Sequence, residues 1–463
     1  MTSAEFKVNL LWLSDCKDLP KWGMGEVFAC APTPLAVCKC LALHLPGASA
    51  NAWLFWDGGL GVPGIESLQS CLSGPADAWH AGLRLGLEGQ PAMLNFVQPT
   101  WMLNRDPDPE IEATSWRLSM QACLVRSDVL KQLGGPGPDF ESLAGAGLEL
   151  GYRWIRKGAF IRHCPQMLMD LPIQPSAAVP LVDQLRFLRA GFEQRWLWWA
   201  GFRAVLSGWG RSLEFWRAWE KIRNDNHTPV QPFRRSGRQN DTVDVYERVS
   251  VLIPTLRRYP YLRPLLGQLR AQTVPPLEIL VIDQTPENMR DTDLLQDFDD
   301  LPIRYFTMDQ AGQCASRNLG LQEARGDYVL FLDDDVEAQP NLIEFHLLNL
   351  VKYQSNVSSG VVYENDPGEL SKDFKFLRIS NVFPGGNSLI KKDVFEKTGL
   401  FDLAYDHGQR ADHDLGMRLY LSGEMMILDP SIAILHHHAP MGGLREHKAR
   451  VDTYRASRKQ LFK

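Results

Sequence analysis

Three adjacent carboxylates, Asp333, Asp334 and Asp335, follow the apolar run YVLFL. Like charges held so close together are costly unless a cation neutralises them. Side chains alternate along an extended chain, so Asp333 and Asp335 share a side and can share one hard divalent ion. Mg2+ or Mn2+ suits such oxygen ligands, above all beside a diphosphate. An acidic turn capping the next helix is the plainer alternative, but the apolar strand before the triplet and Pro340 after it favour a strand end. In ADHDLGMRL, Asp414 and Arg418 stand one helical turn apart and can pair, which leaves Asp412 for chemistry or for an N-cap. In ILHHH, the apolar pair Ile434 and Leu435 makes a short strand that delivers a histidine able to complete a metal shell.

These groups need a scaffold that brings them together. From residue 245 onward, short β-rich runs (VSVLIP, EILVID, PIRYF, DYVLFL) alternate with amphipathic helical stretches. That pattern predicts an α/β fold with a mainly parallel sheet. Ligands of open sheets of this kind sit at the carboxyl ends of the strands, where Asp283 and the Asp triplet fall.

The series VSVLIPT, EILVID, ASRNLG, FLDDD, PGGNSLIKKDVFEKTGLFD, ADHDLGMRLYLSG and DPSIAILHHH resembles, in order, the motifs of family-2 glycosyltransferases with the GT-A fold, which is Rossmann-like. The resemblance implies an inverting transfer from a nucleotide-diphosphate sugar to an acceptor hydroxyl, on a glycan or a lipid-linked acceptor. It implies that Asp333, Asp335 and His436 hold the metal and that Asp412 is the catalytic base. Asp334 would lie near the ribose, with Thr255, Asp283, Gln284, Arg317 and Asn318 lining the nucleotide pocket. Arg445, after Gly442 and Gly443, would close over the diphosphate. The sequence departs from the family at Gln284, where a second acidic residue is usual, at Leu256, where an aromatic is usual, and at Ala411, where Glu is common.

The first half echoes the second. Shifting 121–165 by 265 positions lays it on 386–430, with identities at Leu124, Asp128, Val129, Gly134, Ala146, Leu150, Gly151, Arg153, Gly158 and Pro165. Upstream, AWLFWDGG resembles YVLFLDDD, with Asp57 on Asp333. Gly59 then faces Asp335, Gly147 faces Asp412 and Leu171 faces His436, so residues 1–178 are expected to be a degenerate GT-A-like domain. The expected architecture is two GT-A domains in tandem: 1–178, a helical Trp/Arg-rich segment at 179–226, a polar linker at 227–244, and the catalytic domain at 245–463.

Bulk properties set the outer limits. A chain of 463 residues exceeds one core. A net charge of -6 with 22% charged residues excludes a strongly nucleic-acid-binding or disordered chain, and no nucleic-acid partner is expected. An acidic, early-broken N-terminus and eight cysteines without metal spacing fit a reducing cytoplasm. Between Gln184 and Arg223, eight basic residues stand against three acidic ones, with six of the 14 tryptophans. Such helices suit peripheral contact with the inner face of a membrane; helices packed between two domains are the alternative. The leading expectation is a metal-dependent glycosyltransferase of bacterial surface polysaccharide or glycoconjugate synthesis. A bifunctional enzyme with a metal-independent N-terminal activity and a non-catalytic glycan-binding or scaffold protein are the alternatives.

Overall fold

The computed structural model describes residues 6–15, 18–87, 93–94, 97, 105–169, 171, 178–208, 212–225, 230–235, 248–364, 370, 374–380, 382–407 and 410–444. The chain forms two units, Met1–Asn240 and Asp241–Lys463, each built on one α/β sheet.

In the second unit, VSVLIPT, EILVID and YVLFL are almost wholly buried, as strands covered on both faces must be. Its strands are β8 (Val249–Thr255), β9 (Glu278–Asp283), β10 (Ile303–Thr307), β11 (Tyr328–Leu332), β12 (Val336–Glu337), β13 (Val357–Glu364), β14 (Arg378–Ile379), β15 (Asn387–Lys391) and β16 (Met426–His436). Their order is β10-β9-β8-β11-β15-β13-β16-β12, with β14 on β16. The first four strands are mutually parallel, β15 runs against them, and β13 and β16 are parallel to each other. Leu262, Leu265, Leu266 and Leu269 of the helix Tyr259–Arg270 share a core with Val251, Ile253 and Leu330. Between Gly360 and Val361 the register of β13 on β16 jumps past Pro430, Ser431 and Ile432. A Cβ at Gly360 would collide with the Ile432 carbonyl there.

The first unit carries β1 (Val8–Leu13), β2 (Val27–Cys30), β3 (Ala52–Asp57), β4 (Ala78–His80), β5 (Ala113–Thr114), β6 (Ala122–Arg126) and β7 (Ile161–His163) in the order β2-β1-β3-β6-β4-β7-β5. Strand for strand, β2-β1-β3-β6-β4-β7 has the order and directions of β9-β8-β11-β15-β13-β16. The registers coincide as well. Trp56 opposes Ala122 as Leu332 opposes Asn387, and Ala78 opposes Val125 and Ile161 as Val357 opposes Ile390 and Met426. Details repeat: Gly134 and Gly399 both take a left-handed φ, 74° and 72°. Arg153 pairs with Glu149 as Arg418 pairs with Asp414.

Two segments behave differently from their sequence pattern. The helical segment expected at 179–226 is divided, because Phe192 is extended and ends the helix Leu181–Gly191. The helices Gln194–Leu206 and Ser212–Ile222 follow, with Leu188 buried but Trp199 exposed. Within the polar stretch 227–244, residues 230–235 lie on the first unit: Arg235 pairs with Asp77 at 2.6 Å and lies over the Phe160 ring.

Candidate active site

Parallel strands end at one edge, so β8, β9 and β11 deliver Thr255, Asp283 and the Asp triplet to the same rim. The two-residue strand β12 begins directly after Asp335 and pairs antiparallel with the end of β16, with Val336 opposite His436. That pairing carries His436 to the triplet: its Nε2 stands 3.2 Å from Asp335 Oδ1.

Each carboxylate of the triplet has its own surroundings. Asp333 is partly exposed and accepts a 3.0 Å bond from Arg317 Nη2. Asp334 is buried and accepts from Thr255 Oγ1 at 2.8 Å and from Arg258 Nη1 at 3.2 Å. Burial outweighs Arg258 and Thr255, so its carboxyl is pushed up to about 6. Asp335 is fully buried, with Oδ2 3.0 Å from Arg258 Nη1 and accepting the Ala439 amide at 3.0 Å. Burial raises its pKa, but His436, Arg258 and the Ala439 amide overcome this and bring it down to about 2. The same contact raises His436 to about 8 against its own desolvation. His436 Nδ1 also lies 3.2 Å from Glu364, which His438 contacts too.

Arg258 is the residue that the motif reading missed. It touches Asp334 and Asp335 at once, and with Arg317 it supplies countercharge within the protein. The available signal was the pair Arg257 and Arg258 just past β8, at the rim where carboxylates were already expected.

The residues 384–387 separate the triplet from Asp412. A Cβ at Gly386 would stand 2.6 Å from Asp333 Oδ2, and one at Gly385 2.9 Å from Asp412 Oδ1, with Arg317 Nε 3.5 Å away. Two adjacent glycines therefore keep Asp333 and Asp412 around one backbone segment. Asn387 anchors it, donating to Val361 and Ile432 carbonyls and meeting His346 Nε2 at 3.0 Å. Asp412 sits in the first turn of the helix Ala411–Leu421, entered through Arg410 at φ 80°. Asp414 takes two bonds from Arg418, the expected pair.

The remaining expected residues have internal partners. Asp283 accepts from Tyr259 at 2.5 Å, from Tyr305 and from the Thr285 amide. Gln284 Oε1 accepts the Gly312 amide at 2.7 Å, ahead of the helix Gln313–Glu323 that bears Arg317 and Asn318. Both ends of the Asn318 amide bond the Phe401 backbone at 2.9 Å, so Asn318 fixes the connection between the helices Val394–Thr398 and Ala411–Leu421. Gly442 and Gly443 adopt left-handed φ of 77° and 76°, and the Gly443 amide donates to the Leu256 carbonyl. Arg445 lies outside the described residues.

A divalent ion fits this donor set. Asp335 Oδ1 is buried with no hydrogen bond beyond its pairing with the imidazole nitrogen 3.2 Å away, which is a suitable second ligand.

The first unit differs at the corresponding places. Gln121 stands where Gly386 does, and its amide bonds Asp57 Oδ2 at 3.1 Å, while Asp57 Oδ1 accepts the Gly59 amide. Where Asp412 would be, a Cβ on Gly147 would collide with the Leu118 carbonyl.

Residues 250–399 match the model of glycosyl transferase family 2, under half of the chain, so the second unit carries a domain of that transferase family. The chain is 26% identical over 164 residues to glycosyltransferase GlyA of Streptococcus pneumoniae, covering 35% of this chain and 22% of that protein. It is 30% identical over 169 residues to GalNAc(5)-diNAcBac-PP-undecaprenol beta-1,3-glucosyltransferase of Campylobacter jejuni, covering 32% and 53%. A structure of S. aureus TarS with UDP-GlcNAc aligns at 17% identity and a TM-score of 0.37, over 43% of this chain and 61% of that one. The chain thus spans less than two thirds of the length of these relatives.

Proposed function

We propose that the second unit transfers a sugar, with inversion, from a nucleotide-diphosphate donor to an acceptor hydroxyl, and that Mn2+ or Mg2+ assists it. The observation that carries this reading is the placing of Asp333 and Asp412 beside Gly386 and Gly385, with Asp335, two residues on from Asp333, paired to His436. Asp333, Asp335 and His436 would hold the ion, whose charge stabilises the departing diphosphate when it is bound. Arg258 and Arg317 hold the carboxylates in place until then. Asp412 takes the proton from the acceptor oxygen as that oxygen attacks opposite the leaving group. One base is enough, because a diphosphate leaves without an acid. The internal bonds of Asp283 and Gln284 make them supports of the nucleotide pocket wall.

The acceptor is a glycan or lipid-linked glycan of a bacterial surface polymer, assembled on the cytoplasmic side. The undecaprenol-linked substrate in the C. jejuni relative's name supports that class. The first unit is a twin that has lost this chemistry, since Gly59, Gly147 and Leu171 replace two ion ligands and the base. A thermal-shift panel of nucleotide sugars, with and without Mn2+, tests the reading. One sugar nucleotide should raise the melting temperature only with the ion. Asp335→Ala should abolish that shift and turnover, and Asp57→Ala should leave both unchanged. No response to any nucleotide sugar would refute the transferase reading.

A further inference from the structure

The helices Gln194–Leu206 and Ser212–Ile222 are apolar on two faces. Leu197, Ala200, Ala204, Phe215, Ala218 and Ile222 are buried, and Gly201 allows Phe215 against the first helix. That face already has its partner. On the other face Phe202, Leu206, Leu213 and Trp216 are each more than half exposed, and Trp198, Trp199 and Val205 extend the patch. The rings form a continuous surface, with Trp198 4.5 Å from Trp219 and 6.0 Å from Trp216. Monomeric soluble proteins rarely leave such a contiguous patch bare.

From these observations we infer that this helical pair lies in the interface of an anionic phospholipid bilayer. Charge selects that occupant. Residues 194–223 hold six basic side chains against two acidic ones, in a chain of net charge -6. Arg195, Arg203, Arg217, Lys221 and Arg223 are exposed around the apolar face, and Arg203 lies 5.7 Å over the Trp199 ring. Trp at the polar boundary and Arg at anionic headgroups is the arrangement an interfacial helix needs. A second copy of the chain fits less well, because two-fold pairing would press this basic set against itself. Helices of 13 and 11 residues can lie in the interface but are too short to cross it.

Vesicle flotation of the full chain tests the inference and reads no donor turnover, so it stands apart from the transferase reading. The protein should float with phosphatidylcholine vesicles containing about one-third phosphatidylglycerol, and much less with pure phosphatidylcholine or in high salt. Phe202→Ser with Trp216→Ser, both at exposed positions, should cut the floated fraction about tenfold. Arg203→Glu with Arg217→Glu should do so independently, which covers the case in which the serine variant melts early. Absence of flotation, equal flotation with neutral vesicles, or variants that float like the parent would overturn it. So would a dimer in light scattering that the serine variant disperses without any vesicle binding.

Discussion

At the scale of single residues, the acidic rim is balanced before any ion arrives. Arg317 meets Asp333, and Arg258 meets both Asp334 and Asp335. The triplet's costly repulsion was legible in the sequence. Its internal remedy was not, because Arg258 comes from the end of another strand 75 residues or more away and only the fold unites them. The base assignment is tested by Asp412→Asn. It should lower kcat by about 10^2–10^4-fold, the usual range for a positioned acid or base, with donor binding in calorimetry nearly unchanged. Unchanged turnover would remove Asp412 from the chemistry. His436 makes a separate prediction. Its folded pKa is raised to about 8, and a ligand must be deprotonated to bind metal. Apparent Mn2+ affinity in titration calorimetry should therefore rise with pH through neutrality and level off above about 8. A flat profile would mean that His436 is not a ligand.

At the scale of elements, alternation of apolar runs with amphipathic stretches was enough to foresee a mainly parallel sheet, because strands buried on both faces leave that signature. Strand order was less accessible. The antiparallel insertion of β15 between β11 and β13 depends on pairings across long stretches of chain. The glycine pair before β15 appears in the sequence only as part of the motif PGGNSLIKKDVFEKTGLFD, and its role in the fold is steric: it leaves room for two carboxylates. The first unit shows the converse. Gly147→Asp restores a carboxylate on paper, but its Cβ meets the Leu118 backbone. We expect it to lower stability by about 1–3 kcal/mol in urea unfolding and to confer no transfer activity. A variant as stable as the parent would show that the segment before β6 can retreat.

At the scale of the whole molecule, each unit has a neutral buried histidine, His80 on β4 and His346 on the helix Leu342–Lys352. His80 is held down to about 3 and His346 to about 4, first by burial. A histidine with a lowered folded pKa adds stability above its unfolded value near 6.5, and this is lost as pH falls toward the folded value. Urea unfolding should show stability falling by about 1.4 kcal/mol per pH unit for each of them between pH 6.5 and 5. Equal stability at pH 7 and 5 would contradict this. His346 bonds Asn387, so acid should loosen the glycine segment at the site first. The repeat in sequence foreshadowed two like units, but ten scattered identities could not reveal matching strand registers. Those registers keep the six shared strands in step, while the longer β13 and β16, the irregularity between Gly360 and Val361 and the added strand β10 belong to the second unit alone. The two sheets are therefore one chassis with interchangeable fittings. A graft of residues 382–386 into the first unit would meet β3 and β6 already paired in the register of β11 and β15, which makes that unit a ready recipient for a second, chosen specificity.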